Sequence, residues 1–269
     1  MKSFLKKIIP SKLKDLVKLI LNKSFLHHSI RSILIPSESI SDFFIWSSEF
    51  DHIEFIAENT NAILNGQEED IEHTFRFFSP NGNFLAENKY KKRDLIARIK
   101  LENQLSFGKF KYISFTHHTE LKNSKVFKNK GEISKFRLKN QHRGYTIYFK
   151  ERSNVGAAVH GNFGGITSKE NKISRQRKNF IYTPIYKFDE QSKYHLVFNN
   201  PTSKTLLIKA FTLNNLEIKT ISIPSMGNQF IEINNYSGGI SFESKLPICR
   251  PLIFKNPPPS KEVFDVLHS

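Results

Sequence analysis

From residue 40 to residue 254 the chain is written in short runs of β-branched and aromatic residues, and these are punctuated by Asn, Gly, Pro and Ser. No other feature limits the fold as tightly. Runs such as Phe43-Phe44-Ile45-Trp46, His73–Phe78, Tyr145–Phe149, Tyr194–Phe198 and Pro251–Phe254 are too short for ordinary helices and suit a period of two. Ser79-Pro80-Asn81-Gly82, between two such runs, reads as a hairpin turn. Many short strands with little helix between them predict a mainly β chain of antiparallel sandwiches.

The rhythm also repeats. FIWSSEFDHIEFIAENT, HTFRFFSPNGNFLAENKYKKRDLIARIKL and GKFKYISFTHH align with IYKFDEQSKYHLVFNNPT, LLIKAFTLNNLEIKTISIPSMGNQFIEI and GGISFESKLPICRPLIF. His52 falls on His195, Phe55 on Phe198, Phe78 on Phe211, and Asn81-Gly82 on Asn214-Asn215. Two long copies indicate a duplication, because solenoids use shorter units. The expected organisation is a first β-sandwich unit over 40–118, a lysine-rich linker over 119–142, a second β-sandwich unit over 143–256 and a tail over 257–269. Pro257-Pro258-Pro259 cannot extend a ladder and should leave the sheet.

Before the strands, Leu13, Leu16, Val17, Ile20, Leu21 and Phe25 recur at helical spacing behind a Ser11 cap, with Lys12, Lys14, Lys18 and Lys23 off the stripe. Residues 1–32 therefore read as a basic amphipathic helix. Lys12, Leu13, Leu16, Val17, Lys18, Ile20, Leu21 and Lys23 would contact an anionic membrane surface or a partner protein. No signal peptide and no spanning segment are expected, so the chain is placed in the cytoplasm, peripheral to the inner face of the plasma membrane.

The opening MKSFLKKIIPSKLKDLVKLILNKSF resembles the start of bacterial glycosyltransferases and methyltransferases of surface-polysaccharide assembly. That resemblance implies a setting and no activity. The duplicated body resembles sensory-rhodopsin-transducer-like and immunoglobulin-like β-sandwich modules in the order of its strands and turns. This second resemblance implies binding or oligomerisation rather than catalysis.

The formal net charge of +16 is unevenly spread: +7 over 1–32, −10 over 33–73, +17 over 74–180 and +2 over 181–269. Signed blocks suit a charged partner. Cys249 stands alone, which excludes a disulfide scaffold and a cysteine-rich zinc module.

The most suggestive cluster for a ligand is Arg143, Tyr145, His160 and Asn162, among glycines that permit close approach. A guanidinium, an aromatic face and an amide together suit a glycan or glycolipid. If the protein is instead a sugar-modifying enzyme, His160 or His117 is the candidate base and Arg143 the anion clamp. Lys172, Arg175, Arg177 and Lys178 form an anion-binding run, which leaves nucleic acid as a third class of partner, although no nucleic-acid motif accompanies it. No metal site and no cofactor are expected. Unpaired strand edges would allow a homo-oligomer. The favoured reading is a non-catalytic duplicated β-sandwich binding protein.

Overall fold

The computed structural model describes residues 43–58, 70–101, 107–119, 144–150, 156–161, 173–176, 179–200, 205–245, 250–256 and 264–268. The amphipathic helix expected over 1–32 lies outside these residues, as does the linker from 120 to 142. The described chain is mainly β, with no helix, in four antiparallel sheets.

Eight strands come first: β1 (Phe43–Ser47), β2 (His52–Glu58), β3 (Ile71–Phe78), β4 (Phe84–Lys92), β5 (Ile96–Leu101), β6 (Tyr112–Thr119), β7 (Gly144–Phe149) and β8 (Ala157–His160). They form sheet I, in the order β1-β6-β3-β4, and sheet II, in the order β5-β2-β7-β8. Nine follow: β9 (Ile173–Gln176), β10 (Asn179–Tyr182), β11 (Lys193–Asn199), β12 (Leu206–Thr212), β13 (Glu217–Ile223), β14 (Asn228–Ile233), β15 (Ile240–Ser244), β16 (Leu252–Asn256) and β17 (Asp265–His268). They form sheet III, in the order β13-β12-β15-β10-β9, and sheet IV, in the order β14-β11-β16-β17.

The two orders are the same once β10 stands for β1, β11 for β2, and so on to β17 for β8, with β9 added at one edge. The correspondence reaches single hydrogen bonds. Both β3–β4 and β12–β13 slip register at one place, between Phe77 and Phe78 and between Ala210 and Phe211. Beyond each slip the same turn closes. Ser79 N–H donates to Asn83 O at 2.8 Å, and Thr212 N–H donates to Leu216 O at 2.8 Å. The Ser79 and Thr212 hydroxyls each accept from the same downstream N–H, at 3.1 Å in both. The third turn residue has positive φ in each, +80° at Gly82 and 63° at Asn215. Asn is one of the few residues with a side chain that adopts this region readily.

The boundary expected at residue 143 moves. β7 pairs with β2 through Ile53↔Tyr148 and Phe55↔Thr146, so 144–160 completes the first set of strands. The tail is not free of the sheet either. The chain leaves β16 at Asn256, before the prolines, but returns as β17 to pair Phe254 with Val266.

Alternation places Phe44, Phe55, Phe75, Phe77 and Phe115 in one core between sheets I and II. Tyr194, Leu196, Phe198, Ile208 and Phe242 form another between sheets III and IV. The other faces of sheets I and IV also meet. Val197, Leu252 and Phe254, on the reverse of sheet IV, join the first core rather than the second. Tyr148 reaches across to donate to Ile45 O at 2.6 Å and lies 5.4 Å from the Phe254 ring.

Candidate functional site

Sheet II has one face in the core, and the other is half-buried on β2 and β7 and exposed on β5. Ile53, Phe55 and Ala57 point inward, so His52, Glu54 and Ile56 point outward. On β5 the outward residues are Ile96, Arg98 and Lys100. On β7 they are Tyr145, Ile147 and Phe149.

This outer face carries two ring pairs, one stacked and one tilted. His52 lies on Phe149 with centroids 4.3 Å apart and planes at 8°. Tyr145 meets His160 across the β7–β8 pair at 4.2 Å and 43°. Between them Glu54 accepts from Arg98 Nε and sits 3.8 Å from His52 Nε2. At the His52 end the face opens into a cleft of about 410 Å³, lined by Trp46, Phe50, Asp51, His52, Ile53, Lys100 and Leu101. Its floor is apolar, and a carboxylate, an imidazole and an ammonium group stand at its rim. Such a volume lies within the range of small-ligand sites.

The matching face of sheet IV is closed. His195, the counterpart of His52, is fully buried against β6. Its Nδ1 meets the Tyr112 oxygen at 2.6 Å, and its Nε2 lies 3.3 Å from Glu232 Oε2. The Tyr112 hydroxyl donates to Glu49 at 2.9 Å. Burial works to raise the Glu49 pKa, but the hydrogen bonds with His195, Lys111 and Tyr112 outweigh it and bring it down to about 2. Burial raises the Tyr112 pKa far above its ordinary range, and the Glu49 charge adds to this. Hydrogen bonds from Lys193 and Asn234 lower Glu232 to about 2. Further along, the buried Ser114 hydroxyl donates to Asn199 at 2.8 Å and accepts from Asn228 at 3.0 Å.

The seam ends where one turn seats on another. The tip of the β3–β4 hairpin lies against the β13–β14 turn, with Asn228 N–H donating to Pro80 O at 3.1 Å. A Cβ added at Gly82 would collide with Ser225 O, and one added at Gly227 with Pro80 O. The backbones touch here because neither glycine has a side chain.

Of the ligand residues expected from the sequence, the structure brings Tyr145 and His160 together; Arg143 and Asn162 lie outside the described residues. His117 lies on the inner side of sheet II, against Phe55, whereas Tyr145 and His160 are on the outer side. It faces the first core from sheet I, 1% exposed, with its Nε2 2.9 Å from His73 Nδ1 and its ring against Phe55 and Phe75. In the anion-binding run, Arg175 lies on β9 at the edge of sheet III, and Lys172, Arg177 and Lys178 lie outside the described residues. So do all the membrane-contacting residues from Lys12 to Lys23. Among the described residues, no helix is long and apolar enough to cross a membrane, and no group of three His, Cys, Asp or Glu side chains is placed to hold a metal ion.

Sequence reasoning missed Trp46, Phe50, Asp51 and Lys100. The signal was there in part. The only tryptophan stands just before the turn that carries Phe50 and Asp51, and strict alternation on β5 puts Lys100 outward.

No protein-family model matches this sequence, and no curated protein is significantly similar to it.

Proposed function

We propose that the chain is a non-catalytic binding protein of two related β-sandwich units, and that it holds a glycan on the open face of sheet II. One observation carries the reading. The same face of the same strand pattern occurs twice: in sheet IV it is a docking surface already filled by the first set of strands, and in sheet II it is open and ends in a cleft. The chemistry of the open face suits a sugar. The flat, apolar side of a pyranose ring packs on aromatic and imidazole planes such as Phe149, His52, Tyr145 and His160. Asp51, His52 and Lys100 supply donors and acceptors for ring hydroxyls, and Lys100 offers a cation to an acidic substituent. Catalysis finds less support, since His117 is enclosed in the core and His160 lies on an open sheet face.

The test is affinity electrophoresis of the full chain through gels that contain neutral or acidic bacterial polysaccharides. Retardation should appear with at least one polymer. His52→Ala and Lys100→Ala should each weaken it by ~10-fold, about what the loss of 1.4 kcal/mol gives. Leu207→Ala, on sheet III, should leave it unchanged. Equal retardation of all three variants, or none for any polymer, would overturn the assignment.

The setting belongs to the same proposal: surface-polysaccharide assembly at an anionic membrane, reached through residues 1–32. Deleting residues 1–30 should abolish co-sedimentation with anionic liposomes and spare polysaccharide retardation. Unchanged sedimentation would remove the membrane part.

A further inference from the structure

The seam inside the chain has a donor half and an acceptor half. The donor is the β3–β4 hairpin tip, and the acceptor is the β13–β14 turn on which it sits. Each half has a counterpart on the other set of strands. The donor counterpart is the β12–β13 tip, closed by the same hydrogen bonds. The acceptor counterpart is the β4–β5 connection at 93–95. Among the described residues, no backbone hydrogen bond joins either to another turn as Asn228 N–H joins Pro80 O.

Both counterparts are apolar. Leu213 and Leu216 flank the β12–β13 tip at 59% and 67% exposure. Ile185 is 85% exposed on the β10–β11 loop, which reaches the same end of sheet III because Tyr182 pairs beside Phe242 and Ile240 beside Thr212. On the acceptor side Leu95 is 43% and Ile96 60% exposed. Among the described residues, five of the seven large apolar side chains found exposed thus lie on these two places. Exposed apolar groups gathered this way mark contact surfaces.

We infer that the chain self-associates head to tail, with the Leu213–Leu216 tip of one copy seated on the Leu95-Ile96 connection of the next. A second copy is the fitting occupant because the contact repeats, between chains, an arrangement the fold already makes within one. The inter-chain contact is weaker and reversible. Asn215 stands where Gly82 stands in the seam, and its side chain keeps the backbones apart. Leucine and isoleucine contacts take the place of glycine-to-backbone seating. Donor and acceptor are different surfaces, so the contact is heterologous, and without a rotation that closes a ring it continues as an open series. The acceptor is at the opposite end of β5 from the Lys100 cleft, so association leaves that cleft accessible.

Sedimentation velocity of the full chain over a rising concentration series tests this. The average mass should climb past that of a dimer without a plateau. Leu213→Asp with Leu216→Asp removes the donor, and Leu95→Asp with Ile96→Asp removes the acceptor. Each double variant should weaken association at least ~10-fold, since buried apolar anchors dominate such contacts. A one-to-one mixture should form a heterodimer and stop, because each partner keeps one competent half. Serine replacements at the same positions serve if an aspartate variant unfolds. Lys100→Ala should associate as the wild type does, which separates this result from the glycan assignment. A chain that stays monomeric, a plateau at a dimer, or a mixture that fails to pair would overturn the inference.

Discussion

At the scale of single residues, the seam between the two sets of strands is held by polar groups that have little else to bond. Ser114, Asn199 and Asn228 are all buried and linked across it through the Ser114 hydroxyl, while Asn199 Nδ2 is left without a hydrogen-bond partner. Buried polar groups are costly unless paired, so this triad specifies register more than it adds stability. Glu49 is the group with a pH consequence. Its pKa is about 2 in the fold against an ordinary 4.5. A depressed carboxylate contributes stability that is complete above pH 4.5 and disappears as the pH falls toward 2. With the side chain only 29% exposed, the contribution is on the order of 2–3 kcal/mol. Urea titrations at pH 6 and pH 3 should show the wild type losing stability on acidification, with Glu49→Gln losing less over that interval. An equal loss in both would place the acid sensitivity elsewhere.

At the scale of elements, the hairpin tip and the β13–β14 turn meet backbone to backbone. Gly227→Ala forces a methyl group onto Pro80 O and should destabilise by about 1–3 kcal/mol, the usual cost of overpacking. Gly108→Ala is its control, because nothing lies within 4 Å of that position, and it should stay within about 0.5 kcal/mol of wild type. Equal urea midpoints for the two variants would show that the turns do not carry the seam. The hairpin itself was legible in the sequence, since Asn81-Gly82 and Asn214-Asn215 are turn residues in matched positions. Its docking was not legible, because a close approach between backbones leaves no side-chain pattern. β7 was assigned to the wrong set for a related reason. In the second set β16 begins within ten residues of the end of β15; in the first, residues 120–143 intervene between β6 and β7, and alternation cannot say which sheet a strand joins.

At the scale of the molecule, the mainly β character and the repeated strand order could be read from periodicity, whereas the faces could not. His52 and His195 look alike as aligned residues, yet one lies on an open sheet and the other is sealed in a seam. Burial of that kind depends on which sheets meet, and this is a tertiary fact. The same ignorance kept the cleft hidden, because Trp46 and Lys100 come together only when β1 and β5 are set in facing sheets. Sugar binding on the outer face of sheet II is tested by backbone amide shifts measured during titration with an oligosaccharide from the best-retained polymer. Saturable shifts are expected at residues 50–54, 98–100 and 145–149, with sheet III unmoved. Saturable shifts confined to sheet III, or none anywhere, would contradict it.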